Sequence, residues 1–264
     1  PNRFQRELRE LVRYRKSLVQ ERAREANRIQ KVLEGANIKL GSVASDVLGK
    51  SGRAMLEAIV AGQTDPKALA SLAKGQLKSK TDELQKALKG LLGSHQKTLL
   101  SLQLEHITFL DRQIERASEE IKERMRPFEE SVQALDAIPG LGVRAAEQIL
   151  AELGTDMSRF PTAAHCASWA GICPGNNESA GKRKTGRTRK GNPALRSALV
   201  EAAHSAVRTR GTYLSVQYHR IAARRGGKRA IVAVAHTILV IIYHMLKNGT
   251  AYRDLGANHF DKVN

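Results

Sequence analysis

The sequence predicts an all-α protein, with a long helical coiled-coil hairpin in residues 1–130 and a compact helical domain in residues 131–264. Apolar residues recur at three- and four-residue spacing over two long stretches, which is the period of amphipathic helices. Glycine and proline divide the rest of the chain into shorter helical patterns. No stretch alternates convincingly as a strand does, and at most a short hairpin is expected between Lys184 and Arg189.

Two long helices are expected in the first domain. The first pattern predicts an amphipathic helix of about eight turns, and the second extends from Leu77 to Met125. Such helices must bury their apolar stripes, so they either fold back as an antiparallel coiled coil or pair with another subunit. Four polar residues on or near the seams are expected to set the register and not to bind a ligand: Arg15, Arg22, His95 and His106. The first apolar stripe consists of Phe4, Leu8, Leu11, Leu18, Ile29 and Leu33.

Short helices are expected between the two long ones, because five glycines interrupt residues 35–62. Asp65 and Pro66 have the pattern of an N-cap followed by proline at the first helical position. The helix that they begin is expected to end near Gly75.

The sequence pattern changes after Pro127, where the long helical repeat ends. Residues 134–154 read A-L-D-A-I-P-G-L-G-V-R-A-A-E-Q-I-L-A-E-L-G, in which a turn at Gly140-Leu141-Gly142 joins two short helices. This resembles a helix-hairpin-helix motif, whose glycines give a phosphate access to the free N–H groups at the start of the second helix. Gly140 and Gly142 are therefore candidate nucleic-acid contacts. Alternatively, the tight turn only packs two helices.

Three further helices are expected in the second domain. Asn192-Pro193 begins one that extends to about Arg208, and the next runs from near Thr212 to Arg225, before two glycines. The apolar run of residues 230–246 is at the lower edge of the length that a bilayer requires. Because it includes two histidines and a threonine, it is interpreted as a fully buried core helix, and no membrane association is expected.

The charge of the chain favours a nucleic-acid partner. Lys and Arg number 44 against 26 Asp and Glu, for a net charge of +18. Between Ser179 and Arg229 there are 14 basic residues and one acid, Glu201, which argues against a helical scaffold with merely solvated charge. Aromatic residues make up only 4%, so base stacking is not the expected mode of binding. Two cysteines without a CxxC spacing exclude a four-cysteine zinc site and fit a reduced, cytoplasmic protein.

The most informative segment reads C-P-G-N-N-E-S-A-G-K-R-K-T-G-R-T-R-K-G-N-P-A-L-R, from Cys173 to Arg196. Its glycines let the backbone approach a ligand closely, and its cations would neutralise phosphates. A hydroxyl in such a loop suggests phosphoryl transfer through Ser179. The candidate nucleic-acid contacts of this segment are Lys182, Arg183, Lys184, Arg187, Arg189, Lys190 and Arg196.

Other interpretations of the segment are weaker or less specific. S-x-x-K at Ser179 and K-T-G at Lys184 match penicillin-binding signatures, but those two elements lie far apart in such enzymes and nearly overlap here. A Walker P-loop fails on the spacing of its glycines and lacks the final Ser or Thr. Spacing alone also allows a turn serine in a basic loop that only grazes DNA.

The run G-T-D-M-S-R-F-P-T-A-A-H-C-A-S-W-A-G-I-C-P-G-N-N-E-S-A-G-K-R-K-T-G, followed by K-G-N-P-A-L-R, strongly resembles the C-terminal domain of the serine-dependent insertion-sequence transposases of family one-ten and its eleven-eleven subgroup. R-E-L-R-E-L-V-R-Y-R near the start and Y-R-D-L-G-A-N-H-F near the end extend the resemblance over essentially the whole chain. Members are similar to bridge-RNA-guided recombinases. The resemblance implies that Ser179 is the nucleophile, that DNA and a guide RNA are partners, and that the protein assembles as a homodimer or tetramer.

The same resemblance implies a DEDD, RuvC-like domain that binds Mg²⁺ ahead of the coiled coil. The chain begins with Pro1, so we expect it to be a piece of a longer protein. Since no DEDD domain is recognised in it, this piece is expected to bind no metal or cofactor and to be inactive alone, whereas the intact protein would use Mg²⁺. The predicted function is a DNA transposase that forms a covalent phosphoserine intermediate. The alternative is a non-catalytic module that binds nucleic acid and oligomerises.

Overall fold

Helices make up almost all of the regular structure, and the predicted all-α class is confirmed. The computed structural model describes residues 1–174, 177–185 and 188–261, with the backbone alone for 177–179, 182–185 and 261. The α-helices are α1 (Arg3–Gly35), α2 (Leu40–Val43), α3 (Lys50–Val60), α4 (Pro66–Ser71), α5 (Thr81–Ala87), α6 (Ser94–Met125), α7 (Glu129–Asp136), α8 (Val143–Leu153), α9 (Ala163–Ala170), α10 (Pro193–Ala206), α11 (Tyr213–Arg225) and α12 (Gly227–Asn248). Short 3-10 helices occupy Gly75–Lys80, Arg126–Phe128, Met157–Arg159 and His259–Asp261. One antiparallel sheet pairs β1 (Asn177–Ser179) with β2 (Lys182–Thr185).

The chain divides into two compact units. The C-terminal unit consists of Pro1–Arg13 and Glu120–Asn264, and the coiled-coil unit consists of Tyr14–Glu119. The domain boundary at residue 130 stays a prediction from the sequence.

Within the coiled-coil unit, α1 and α6 fold back on each other in antiparallel fashion. Leu18 of α1 packs against Leu110 and Ile114 of α6, and all three are buried. Further along, Nδ1 of His106 on α6 lies 3.4 Å from a carboxylate oxygen of Glu25 on α1. The contacting residues therefore rise in number along α1 as they fall along α6, so the two helices are antiparallel. Of the two arrangements left open by the sequence, the antiparallel coiled coil is present within one chain.

Polar residues on this seam pair with each other, as predicted for residues that set the register. Arg22 forms an ion pair with Asp111, and His106 faces the buried carboxylate of Glu25. Glu25 also pairs with Arg28 of its own helix, so a shift of α6 would remove only the His106 contact to this carboxylate.

The second long helix is shorter than predicted. The pattern from Leu77 is interrupted at residues 88–93, and α6 begins only at Ser94. A Cβ on Gly90 would lie 2.9 Å from the carbonyl carbon of Asn37 and closer still to the carbonyl oxygen of Ala36. The chain thus leaves the helix where its backbone passes against residues 36–38, which is a long-range contact that the periodicity does not reveal.

Capping residues and glycines in the sequence predicted where other helices begin or end. The Asp65 carboxylate accepts from the amides of Lys67 and Ala68 to begin α4, although that helix ends at Ser71, before Gly75. Thr212 caps α11, and Gly249, with a φ of 63°, ends α12.

Helix α12 forms the centre of the C-terminal unit. It is long and apolar enough to cross a membrane by length and composition alone, but half of its most apolar window is buried inside this unit. It packs on α9, α10 and α11 along a face that includes Val234, Ile238 and Tyr243. The expectation of a core helix is confirmed, whereas burial on every side is wrong, because residues such as His244 are exposed.

The turn between α7 and α8 packs closely on α10. Gly140 has a φ of +85°, and a Cβ there would lie 2.7 Å from the carbonyl oxygen of Ala202 and nearer to the amide nitrogen of Ala206. Gly142, at the N-cap of α8, is exposed and has no atom within 4 Å of such a Cβ. Helix packing alone therefore accounts for the glycine at 140, and the helix-hairpin-helix identity stays a prediction.

Replacing Gly140 by alanine is expected to lower the free energy of unfolding of the C-terminal unit by about 3 kcal/mol, because the methyl group strains φ and overlaps the backbone of α10. Gly142→Ala is the matched control, with an expected loss of less than about 1 kcal/mol. Denaturant unfolding followed by the fluorescence of Trp169, the sole tryptophan, measures both. Equal losses would contradict the packing role of Gly140.

Candidate active site at the serine hairpin

The segment that contains Ser179 leaves the helical core and returns to it as a hairpin. It begins after Gly171, which ends α9 with a φ of 71°, and returns at Gly191, just before α10. Pro174 and Thr188 form an isolated antiparallel bridge, and β1 and β2 extend the pairing. We call residues 172–190 the serine hairpin.

The chain reverses at a two-residue turn next to Ser179. Ala180 has a φ of 50° and Gly181 a φ of 71°, and positive values at both central positions are what a type I′ turn requires. Both residues are exposed, and no atom lies within 4 Å of a Cβ built on Gly181. Ser179 is the last strand residue before this exposed tip.

The register of the hairpin contains one irregularity. The paired residues are Asn177 with Thr185, Glu178 with Arg183, and Ser179 with Lys182. Lys184 is left without an opposite residue, as in a β-bulge. The expected hairpin between Lys184 and Arg189 was therefore misplaced, because the turn forms at Ala180-Gly181 and its first residue is a non-glycine in the left-handed region.

Two glycines close the base of the hairpin. A Cβ on Gly171 would lie 2.8 Å from Cα of Gly191, and one on Gly191 would lie 2.6 Å from the carbonyl carbon of Ala170. The amide of Asn192 donates to the carbonyl of Trp169 at 3.3 Å. Only glycine at both positions lets the two arms approach this closely.

A buried carboxylate holds the residue that follows this contact. The Asn192 side chain caps α10 by accepting from the amides of Ala194 and Leu195, and its Nδ2 donates to Oε2 of Glu152 at 2.7 Å. The Glu152 side chain is 3% exposed. Arg13 of α1 donates from Nε to Oε1 at 2.6 Å and from Nη2 to Oε2 at 2.9 Å, and Arg9 Nε lies 3.1 Å from Oε2.

This cluster was missed by sequence reasoning, although a signal for it exists. Glu152 falls among the buried apolar residues of α8, between Leu150 and Leu153. An acid on an apolar stripe predicts a buried cationic partner. Arg9 and Arg13, four residues apart on α1, are that partner pair.

Four of the eight predicted catalytic and basic residues lie in the strands. The structure describes only the backbone of Ser179, Lys182, Arg183 and Lys184, and Arg187 lies outside the described residues. Their assignment as site residues stays a prediction.

The remaining candidates lie at the base or on the helices. Arg189 and Lys190 are exposed on the returning arm, and the amide of Arg189 donates to the carbonyl of Cys173 at 3.4 Å. Arg196 is half-buried near the start of α10. Gly142 is exposed at the start of α8, whereas Gly140 packs against α10. These positions bring Arg189 and Lys190 beside the hairpin base.

A comparison with known protein families finds a match for this region. Residues 132–219 match the model of the Transposase IS116/IS110/IS902 family, and the match extends from α7 into α11 and includes the whole serine hairpin. This part of the chain is similar to the IS110 family of transposases.

Curated relatives are also similar to part of this chain. The chain is 32% identical over 120 residues to the 43.6 kDa protein of insertion element IS110 from Streptomyces coelicolor, which covers 45% of this chain and 29% of that protein. It is 29% identical over 128 residues to the transposase for insertion sequence element IS1111A from Coxiella burnetii, covering 47% of this chain and 35% of the relative. The chain spans about a third of the length of these relatives.

Mg²⁺ was expected only in the intact protein, and this expectation stays a prediction. Within residues 1–174, 177–185 and 188–261, as far as they are described, no three His, Cys, Asp or Glu side chains gather as metal ligands.

Two thiols, one on α9 and one at the start of the serine hairpin, differ in environment. Burial raises the pKa of Cys166, on α9, to about 12. Burial also raises the pKa of the half-buried Cys173, while the charge of Arg189 lowers it. Both cysteines are free.

Alkylation of the native chain is expected to occur first at Cys173, because the thiolate is the reactive form and Cys166 is buried and has the more strongly raised pKa. Arg189→Ala removes the lowering effect, raises the pKa of Cys173 and slows its alkylation by about twofold near neutral pH. Arg159→Ala, at another exposed arginine, is the control and should leave the rate unchanged. Mass spectrometry of iodoacetamide-treated protein gives both rates; equal reactivity of the two cysteines would refute the assigned environments.

Proposed function

We propose that this chain is the part of an insertion-sequence transposase that cuts and rejoins DNA through Ser179. The observation that carries the proposal is the position of Ser179, directly before an exposed type I′ turn, inside residues that match the model of the IS116/IS110/IS902 transposase family. DNA is a large, stiff polymer, so a nucleophile on a projecting hairpin can reach a phosphodiester that a deep pocket could not admit.

The proposed reaction is an exchange of phosphoesters. The Ser179 hydroxyl loses its proton as its oxygen forms a bond to phosphorus, the bond from phosphorus to one deoxyribose oxygen breaks, and that oxygen takes up a proton as it leaves. The hydroxyl of a new strand end then loses its proton as it attacks the phosphoserine, the bond from phosphorus to the serine oxygen breaks, and the serine oxygen takes up a proton. Because each step exchanges one phosphoester for another, the exchange needs no energy-rich cofactor.

Positive charge near the hairpin supports this chemistry. The transition state spreads negative charge over the non-bridging oxygens, and fixed cations stabilise it. The sequence places six cations in residues 182–190, after the turn, and two of them, the exposed Arg189 and Lys190, stand next to the base. In the proposal these residues neutralise the phosphates of the strand that is cut.

A second group of cations lies away from the hairpin. Arg224 and Arg225 end α11, and Lys228 and Arg229 lie in the first turn of α12. All four are exposed, and the first turn of α12 has no acidic residue. Cations at a helix N-terminus repel its dipole, so a phosphate bound here would relieve that repulsion. We call these four residues the basic corner, and it supports contact with DNA outside the cutting site.

The proposal also includes a guide RNA, Mg²⁺ in the intact protein, and assembly as a homodimer or tetramer. Exposed apolar residues on α6 support assembly, since Leu99, Leu102 and Phe109 recur at helical spacing on the exposed side of the coiled-coil unit. Because the proposed substrate is DNA, the proposal places the protein inside the cell.

A non-catalytic module that binds nucleic acid and oligomerises is the second candidate. The basic corner favours it, because its cations lie outside the segment that carries Ser179. Both candidates predict DNA binding, so only the covalent chemistry separates them.

Ser179→Ala is expected to abolish the covalent protein–DNA adduct in a full-length transposase that contains this region, with a loss of at least about 1,000-fold in rate because the attacking atom is missing. DNA with a nick beside the cleavage site traps the adduct, a denaturing gel measures it, and peptide mass spectrometry locates the modified residue. Ser205→Ala, at an exposed serine on α10, is the control. Strand exchange that continues in Ser179→Ala would eliminate the nucleophile assignment and favour the binding module.

The double substitution Arg224→Ala with Arg225→Ala is expected to lower the slope of log K against log salt for DNA binding by about two, one for each lost phosphate contact. Lys67→Ala, at an exposed lysine of the coiled-coil unit, is the control and should leave the slope unchanged. Fluorescence anisotropy with labelled duplex DNA at several salt concentrations gives the slopes. An unchanged slope in the double variant would show that the basic corner does not touch DNA.

A further inference from the structure

We infer that Glu152 and Asn192 form a positioning device that transmits the placement of α1 to the base of the serine hairpin, and thereby regulates the reactivity of Ser179. This inference rests on the proposed function of Ser179. Neither residue touches the reacting atoms in this account, so both are positioning residues.

Glu152 is bound too completely to be an incidental ion pair. Its buried carboxylate receives donors from three directions: Arg13 at both oxygens, Arg9 at 3.1 Å, and Asn192 at 2.7 Å. A buried carboxylate loses its hydration and is tolerated only when such donors replace the water. A shift of any one partner therefore acts on the others.

Asn192 joins this carboxylate to three elements at once. Its amide group donates to Glu152 on α8, its amide oxygen accepts from Ala194 and Leu195 at the start of α10, and its backbone amide donates to Trp169 on α9. One side chain thus fixes where α10 begins relative to α8 and α9.

The hairpin starts and ends at this fixed point. Gly191 immediately precedes Asn192, and its backbone packs against Gly171, where the outgoing arm begins. The tip, by contrast, has open space around Gly181. Orientation of the tip must therefore come from the base, and a small rotation at Asn192 becomes a larger displacement at Ser179.

Helix α1 reaches the same point through two arginines one turn apart. Arg9 also donates from Nη2 to the backbone carbonyl of Glu152 at 2.8 Å, so it holds the backbone and the side chain of that residue together. A movement of α1, on assembly or on binding of nucleic acid, changes these bonds first. The hairpin base is the next element in the chain of contacts.

Asn192→Ser is the most informative variant, because serine still caps α10 but has no amide to donate to Glu152. In a full-length transposase with nicked DNA, we expect its adduct to form about 10- to 100-fold more slowly at saturating DNA, since misplacement of a nucleophile reduces rate more than affinity. Its DNA affinity should stay within about twofold of wild type, since the phosphate contacts are intact. Arg13→Ala should likewise slow adduct formation while leaving DNA affinity nearly unchanged, and Arg13→Lys should recover part of the rate. Arg3→Ala, at an exposed arginine of α1, is the control and should behave as wild type.

Hydrogen exchange separates a failure of this inference from a failure of the serine assignment. In the chain itself, the amides of Arg189 and Asn192 are expected to exchange at least about tenfold faster in Asn192→Ser and Arg13→Ala than in wild type, because the base opens more often. If wild type forms no adduct, the nucleophile assignment falls and exchange alone decides whether the device holds the base. The inference is overturned if the two amides exchange at the wild-type rate in both variants, or if Asn192→Ser forms the adduct at the wild-type rate. Should Arg13→Ala fail to fold, Asn192→Ser still decides the outcome.

Discussion

The C-terminal unit depends on one buried negative charge. Removing a partner from a buried ion pair costs roughly 3–5 kcal/mol, since the remaining charge cannot regain its hydration. Glu152 therefore requires that Arg9, Arg13 and Asn192 stay in place together. This requirement explains why Pro1–Arg13 belong to the same compact unit as residues more than a hundred positions later in the chain.

The start of α1 also completes the end of α8. The last carbonyls of a helix have no partner within it. Gln5 donates to the carbonyls of Leu150 and Ala151, and Arg9 donates to that of Glu152. Cations near a helix C-terminus also interact favourably with its dipole. Side-chain charge and backbone hydrogen bonding therefore act in the same direction at one contact, which makes the position of α1 on α8 well defined.

Signals carried by neighbouring residues could be read from the sequence, and those that depend on distant partners could not. Asn192 followed by Pro193 predicts the start of α10 because the cap is formed by amides two and three residues away. The break before α6 was missed because Gly90 is required by a backbone that lies some fifty positions earlier. Likewise, the sequence offered Gly140 as a phosphate contact, and the structure adds a packing reason, the close approach of α10, that no local pattern contains. The role of Ser179 as a nucleophile was predicted from the resemblance of its surroundings to a family and stays a prediction, since nothing in the spacing of residues distinguishes a nucleophile from a turn serine.

A site that acts on DNA has two opposing requirements. Its nucleophile must project far enough to meet a phosphodiester in a stiff double helix, yet it must be held closely enough to attack in line. Contacts around the tip would satisfy the second requirement at the expense of the first. Placing them at the base, as Gly171, Gly191 and Asn192 do, satisfies both, because the tip stays open while its direction is set from behind. Under the proposed function, this is why the polar contacts lie at the base of the hairpin and not around Ser179. These contacts lead to Glu152, which α1 binds.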